Sequence, residues 1–147
     1  MKQDKTMQTQ RKILAVDDDP NNIAILEELF DGNYDLKISS NGEQALEIAR
    51  EFLPDIILLD IMMPGMDGYE VCQQLREHDI LKDTKVIMLS ARAMNSEQLK
   101  GYRAGADDYI TKPFDGDELL EKVRMHFRSR DIYEADSIKE DVTSTMS

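Results

Sequence analysis

Ile56-Ile57-Leu58-Leu59-Asp60 sets four consecutive aliphatic residues against one acid, and Ile61-Met62-Met63-Pro64-Gly65 follows at once. A run of this length, closed by a Pro-Gly turn signal, reads as a strand covered on both faces, the habit of parallel sheets. An Asp at the end of such a strand is costly to bury unless it has a task. Working outward, the same device recurs. Ile13-Leu14-Ala15-Val16 runs into Asp17-Asp18-Asp19-Pro20. Ser90 directly follows Val86-Ile87-Met88-Leu89, and a short strand near Tyr109-Ile110, preceded by Asp107 and Asp108, leads into Lys112-Pro113. In an open parallel sheet the carboxyl ends of the strands meet in one crevice, where ligands bind. Asp17, Asp18, Asp60, Ser90 and Lys112 are therefore expected to share one site.

The rest of the chain supports that sheet. Strands read at Lys12–Val16, Tyr34–Ile38, Ile56–Leu59, Lys85–Leu89 and Asp108–Thr111, with amphipathic segments between them. The first helix has Asp19 as N-cap and Pro20 at N1, then Ile23, Leu26 and Phe30 at helical spacing, with Gly32 to end it. The second starts at Asn41-Gly42, turns Ala45, Leu46, Ala49 and Phe52 inward, and stops before Pro54. The third spans about Gly68 to Glu77 with Val71, Cys72 and Leu75 inward. The fourth starts near Asn95, whose spacing to Gln98 resembles a capping box, presents Leu99 and Tyr102, and ends near Gly105. The fifth has Asp115 and Glu118 at the same spacing, followed by Leu119, Leu120, Val123 and Phe127. Five such alternations over residues 11–129 imply right-handed βα units and a doubly wound, five-stranded α/β sheet. Residues 1–10 lack a hydrophobic period and read as a disordered lead. Residues 130–147, acidic and rich in Ser and Thr, read as a tail or linker.

The chain has 147 residues, 41% of them hydrophobic, no Trp, and a net charge of −12. That suits one domain with an aliphatic and Met core. The negative balance argues against direct contact with nucleic acid or an anionic membrane. One cysteine, Cys72, at an apolar helical position, reads as a plain buried thiol and fits a reducing compartment. With no apolar run long enough to span a bilayer and no signal-peptide core, the expectation is a cytoplasmic protein.

Crowded carboxylates raise one another's pKa values unless a cation joins them. Hard oxygen ligands of this kind suit Mg²⁺, which keeps several waters and takes one or two carboxylates plus phosphate. With that charge in place, one carboxylate can act as a nucleophile toward phosphorus, giving an aspartyl phosphate. Lys112 and the metal would offset charge on the transferring group, and the Ser90 hydroxyl would donate to a phosphoryl oxygen. Taken singly, each residue has a plainer reading: Asp17 to Asp19 as a helix cap, Ser90 as a turn residue, Lys112 as a solvated lysine. Their common placement at one end of one sheet separates the two.

These residues carry a resemblance. Ile13 to Pro20, Pro54 to Gly68, Leu89-Ser90-Ala91 and Gly105 to Phe114 resemble, in this order, the motifs of the receiver domain of two-component response regulators, over about residues 11–129. The resemblance implies a CheY-like, flavodoxin-like fold with strand order 2-1-3-4-5. It implies that Asp60 accepts a phosphoryl group from a histidine kinase or phosphotransfer protein. Asp18 and Asp60 would bind Mg²⁺ directly, Asp17 mainly through water, and the Met62 carbonyl would be a further ligand. Ser90 and Tyr109 would be the switch residues and Lys112 the phosphate-binding lysine, with the Lys112–Pro113 bond cis. Met62 and Arg92 stand at variable positions that tune dephosphorylation in the family, and a Met cannot hydrogen-bond an attacking water. Phosphorylation would draw Ser90 and Tyr109 inward and reshape the face of the fourth helix, fifth strand and fifth helix (Asn95–Arg103, Tyr109, Asp115–Phe127). Output would pass to a partner protein, to the chain's own output domain, or through a phosphorylation-dependent homodimer. The chain would be a switch rather than an enzyme.

Two other classes stay open on the residues alone. A Mg-dependent aspartyl-phosphate phosphatase or phosphotransferase shares the acidic site, but it usually needs a cap that this short chain has no segment to build. A flavin protein of similar topology needs a phosphate cradle after the first strand, where three acids stand instead.

Overall fold

A computed structural model describes residues 11–91 and 95–129. The lead before residue 11, Arg92 and the tail beyond residue 129 lie outside the described residues. In chain order the elements are β1 (Lys12–Val16), α1 (Pro20–Phe30), β2 (Asp35–Ser39), α2 (Gly42–Phe52), β3 (Ile56–Asp60), α3 (Gly68–Glu77), β4 (Lys85–Ser90), α4 (Asn95–Ala104) and β5 (Asp108–Thr111). Residues up to Phe114 form one compact unit, and those from Asp115 a second, whose described part is a helix, α5, over 116–129. All strand pairs are parallel and the order is β2-β1-β3-β4-β5, the flavodoxin-like α/β arrangement.

The apolar runs are buried as their composition requires. Leu14, Val16, Ile57, Leu59, Val86, Met88 and Tyr109 point to one face, where they pack with Ala45, Leu46, Ala49 and Phe52 of α2 and Val71, Cys72 and Leu75 of α3. Alternate residues Ile13, Ala15, Ile56, Leu58, Ile87 and Leu89 point the other way and are equally buried. β1, β3 and β4 are buried on both sides, which explains why their runs show no polar alternation, whereas the edge strand β2 is only partly covered.

Local chemistry sets the helix ends. Asp19 Oδ1 accepts from the Asn21 amide at 2.9 Å, with Pro20 at the first helical position. Asn41 Oδ1 accepts from the Gln44 amide at 2.8 Å. α2 ends on Leu53, held left-handed at φ 52° with its amide bonded to the Ala49 carbonyl, and Pro54 follows. Asp67 and Glu70 form a full capping box at the start of α3, a pair that the sequence reading passed over. Each such cap contributes roughly 1 kcal/mol. In α5, Asp115 Oδ1 accepts from the Asp117 amide at 2.9 Å rather than from Glu118, so that cap is tighter by one residue than the spacing suggested. The side chain of Asn95, the fourth capping candidate, lies outside the described residues.

One expectation shifts. β2 runs one residue later than Tyr34–Ile38: Tyr34 packs edge-on against Phe30 at 5.5 Å, and the ladder extends instead to Ser39, whose carbonyl accepts from the Asp17 amide. In α4 the Leu99 and Tyr102 that the spacing presents are exposed (49% and 46%), and the buried side of the helix includes Gly101 and Ala104. Those residues carry little apolar signal.

At the amino ends of β4 and β5, away from the acids, Arg76 ties three segments together. Its guanidinium donates to the carbonyls of Gly105 (2.6 Å), Lys82 (2.8 Å) and Thr84 (2.6 Å) and to Asp107 Oδ2 (2.9 Å). Asp107 Oδ2 also accepts from the Val86 amide. Cys72 is fully buried nearby, and burial pushes its thiol up to about 11, with Arg76 pulling it down and Asp107 adding to the rise. The thiolate is the reactive form. Native protein at pH 8 is therefore expected to leave Cys72 unlabelled by an aromatic disulfide reagent, while protein in denaturant reacts fully. Rapid labelling of folded protein would contradict the burial.

Candidate metal and phosphoryl site

The strand registers bring the polar residues to one level. Val16 pairs with Leu59, so Asp17 stands beside Asp60; Asp60 pairs with Leu89, which precedes Ser90; Ser90 pairs with Thr111, which precedes Lys112. All lie at the carboxyl edge of the sheet, where strands end and backbone amides are freed for side chains.

Carboxylate oxygens of Asp17, Asp18 and Asp60 lie within 4.8 Å of one another. Asp17 and Asp60 are buried and Asp18 is exposed, so the cluster opens toward solvent on one side. Lys112 reaches in from the end of β5, its ammonium 2.8 Å from Asp17 Oδ2 and 3.2 Å from Asp60 Oδ1. Main-chain bonds hold the frame: Asp17 Oδ1 accepts from the Asp19 amide at 2.9 Å, the Met62 amide donates to Asp60 Oδ1 at 3.3 Å, and the Lys112 amide donates to the Ser90 carbonyl at 2.6 Å. The Lys112–Pro113 peptide is cis. Asp19 serves only as a cap, outside the cluster.

Electrostatics set Asp60 apart from an ordinary surface carboxylate. Burial pushes Asp60 up to about 6; the Lys112 ammonium pulls it back and the Asp17 carboxylate adds to the rise. Lys112 is pulled down by burial, but its hydrogen bond to Asp17 and the charges of Asp60 and Asp17 outweigh that, and its pKa ends above the ordinary lysine value. Among the described residues one ammonium contacts two acids of a cluster of three, a deficit that a divalent cation would make good. The donors are hard oxygens on two buried strand ends and one exposed position, a set that fits Mg²⁺ with waters retained.

Of the remaining candidates, Ser90 is buried at the end of β4. Tyr109 is buried in β5 opposite Met88, its ring near Gly101 of α4. The Met62 side chain is 57% exposed beside the acids, while its backbone turns back onto Asp60. In the sequence Gly68 marks only the start of a helix; its closeness to the Asp60 backbone is visible only in three dimensions. Among the described residues no helix is long and apolar enough to cross a membrane.

Comparison with known proteins agrees with this geometry. The family model described as response regulator receiver domain matches residues 13–124. The chain is 39% identical over 123 residues to the DNA-binding dual master transcriptional regulator RpaA of Synechocystis, covering 82% of this chain and 50% of that protein. It is 40% identical over 124 residues to the DNA-binding response regulator MtrA of Mycolicibacterium smegmatis, covering 83% and 53%. The chain thus spans about half the length of these curated relatives. Among solved structures, a putative response regulator from Chloroflexus aurantiacus superposes with a TM-score of 0.77 at 35% identity, over 80% of this chain and 98% of that one.

Proposed function

This chain belongs to the response regulator receiver domain family, and we propose that it is a Mg²⁺-dependent phosphoacceptor switch with Asp60 as the acceptor. The observation that carries the reading is the placement of one buried carboxylate, Asp60, within reach of two further carboxylates and of the Lys112 ammonium at 3.2 Å.

In this reading a histidine kinase or phosphotransfer protein presents a phosphohistidine at the open side of the cluster. An Asp60 carboxylate oxygen forms a bond to phosphorus, the P–N bond breaks, and the imidazole nitrogen keeps the electron pair and takes a proton from water. Asp17, Asp18, Asp60 and the Met62 carbonyl are the groups that would hold Mg²⁺. When bound, the ion supplies positive charge to the phosphoryl oxygens. Lys112 gives up part of its contact with Asp60 to meet the same oxygens, and the Ser90 hydroxyl donates to another. The phosphoryl group adds roughly 1.5–2 negative charges. Ser90 and Tyr109 respond, and the change passes to the exposed surface of α4 and β5. This shifts the population of two states of one fold. Output then passes to a partner protein or to an output domain, as in relatives named as DNA-binding regulators. The net charge of −12 disfavours direct DNA contact by this chain itself.

The test is incubation of the full chain with Mg²⁺ and a small acyl phosphate, followed by mass spectrometry. One acid-stable, base-labile phosphate per chain is expected, and borohydride reduction should mark Asp60 alone. A label on Ser90 or elsewhere would overturn the assignment. Sustained turnover of phosphomonoesters would favour a phosphatase instead.

A further inference from the structure

We propose that Gly68 is a positioning residue of the acidic site: its missing side chain lets the start of α3 lie directly on the Asp60–Ile61 peptide and so fixes how the chain leaves the acceptor. The inference rests on the metal-site reading above and adds a residue to it.

A Cβ on Gly68 would stand 2.5 Å from the Asp60 carbonyl oxygen and 2.8 Å from the Ile61 Cα. Both are backbone atoms, which cannot swing aside as a side chain can. The conformation of Gly68 is one that any residue adopts, so the glycine is required for space and not for its backbone angles. The peptide it touches is held on its other sides. The Ile61 amide donates to the Leu89 carbonyl at 3.1 Å, and the Ile61 carbonyl accepts from the Gly68 amide at 3.0 Å. One residue later the Met62 amide meets Asp60 Oδ1. The Asp67–Glu70 capping box fixes the register of the helix that delivers Gly68. An added methyl must therefore move the Asp60–Ile61 peptide, the helix start, or both. Moving the peptide displaces the Asp60 carboxylate relative to Asp17, which sits on a different strand, and also re-aims Met62. A carboxylate pair on two strands holds a small octahedral cation only when the spacing is right. Disturbing groups just behind metal ligands typically weakens binding by about 10–100-fold.

The experiment compares Mg²⁺ affinity, by isothermal titration calorimetry, of the wild-type chain, Gly68→Ala and Gly105→Ala. Gly105→Ala is the structural control. Its Cβ would stand 2.7 Å from Arg76 Cγ and its φ is +110°, so it strains the fold at the opposite end of β5 without touching the Asp60 peptide. All three are titrated in trimethylamine oxide at a concentration where circular dichroism shows each to be folded, which keeps a destabilised variant measurable. Gly68→Ala is expected to bind Mg²⁺ at least about tenfold more weakly than wild type, and Gly105→Ala to bind like wild type. Equal affinity for Gly68→Ala and wild type, or an equal loss in both variants, would overturn the inference while leaving the metal site standing. Failure of the wild type to bind would remove the metal reading and this inference with it.

Discussion

Asp60→Asn is expected to abolish phosphate incorporation and, in the same molecule, to raise the stability of the metal-free protein at pH 8. The first effect follows from the nucleophile: an amide does not form the acyl phosphate. The second follows from burial. Asp60 titrates near 6 in the folded chain, against 3.8 as its ordinary value. The folded state therefore holds the proton more tightly than the unfolded state. Stability is greatest with Asp60 protonated, falls as pH rises from about 4 through 6, and the full penalty is present above pH 7. A shift of this size corresponds to about 2–3 kcal/mol, and an Asn, which does not titrate, escapes it. Urea unfolding without metal should therefore show Asp60→Asn more stable than wild type at pH 8, with the gap closing toward pH 4. A variant less stable at pH 8 would show that Asp60 is not a strained acid, and phosphate uptake at the wild-type rate would show that it is not the acceptor. An acid that destabilises its own fold is what a functional site looks like when its ion is withheld.

How much of this is legible in the sequence depends on the range of the interaction. Asp60 could be read because a lone acid closes an aliphatic strand, and Asp17 because the same pattern repeats at the end of β1. Parallel-sheet geometry then places such ends together without further information. Asp19 was legible as a cap because capping reaches only two residues along the chain, to the Asn21 amide. Arg76 was not legible: it spends most of its donors on the backbone carbonyls of Lys82, Thr84 and Gly105, which leave no trace in residue identity. The inward side of α4 was not legible for a related reason. Periodicity weighs large apolar residues, and Gly101 and Ala104 bury a helix closely by being small. Gly68 stood in plain view, but a glycine at a helix start has many explanations, and only the 2.5 Å approach to the Asp60 carbonyl selects one.

Lys112→Ala is expected to destabilise the metal-free protein strongly at pH 8, less at pH 5, and to regain part of the loss when Mg²⁺ is added. Among the described residues Lys112 is the cation that contacts both buried acids, at 2.8 Å to Asp17 and 3.2 Å to Asp60. Removing it leaves two carboxylates, almost fully buried, facing each other without compensation. Stripping one partner from a buried pair costs about 3–5 kcal/mol. The acids have a partial escape, because Asp60 can take up a proton. Lys112 is among the groups that lower the Asp60 pKa, so its loss raises that pKa further, above the wild-type value of about 6. The sign follows. At pH 5 the variant holds Asp60 protonated and loses mainly the contact with Asp17; at pH 8 it must ionise a buried acid or bind a proton from dilute solution. Urea midpoints for Lys112→Ala should therefore fall further below wild type at pH 8 than at pH 5. Saturating Mg²⁺ stabilises any state that binds it in proportion to the logarithm of concentration over dissociation constant. In the variant the ion also replaces the missing charge, so the increment should be larger than in wild type. A loss independent of pH, with no larger response to Mg²⁺, would mean that Lys112 contributes packing alone and that the acids are not coupled through it.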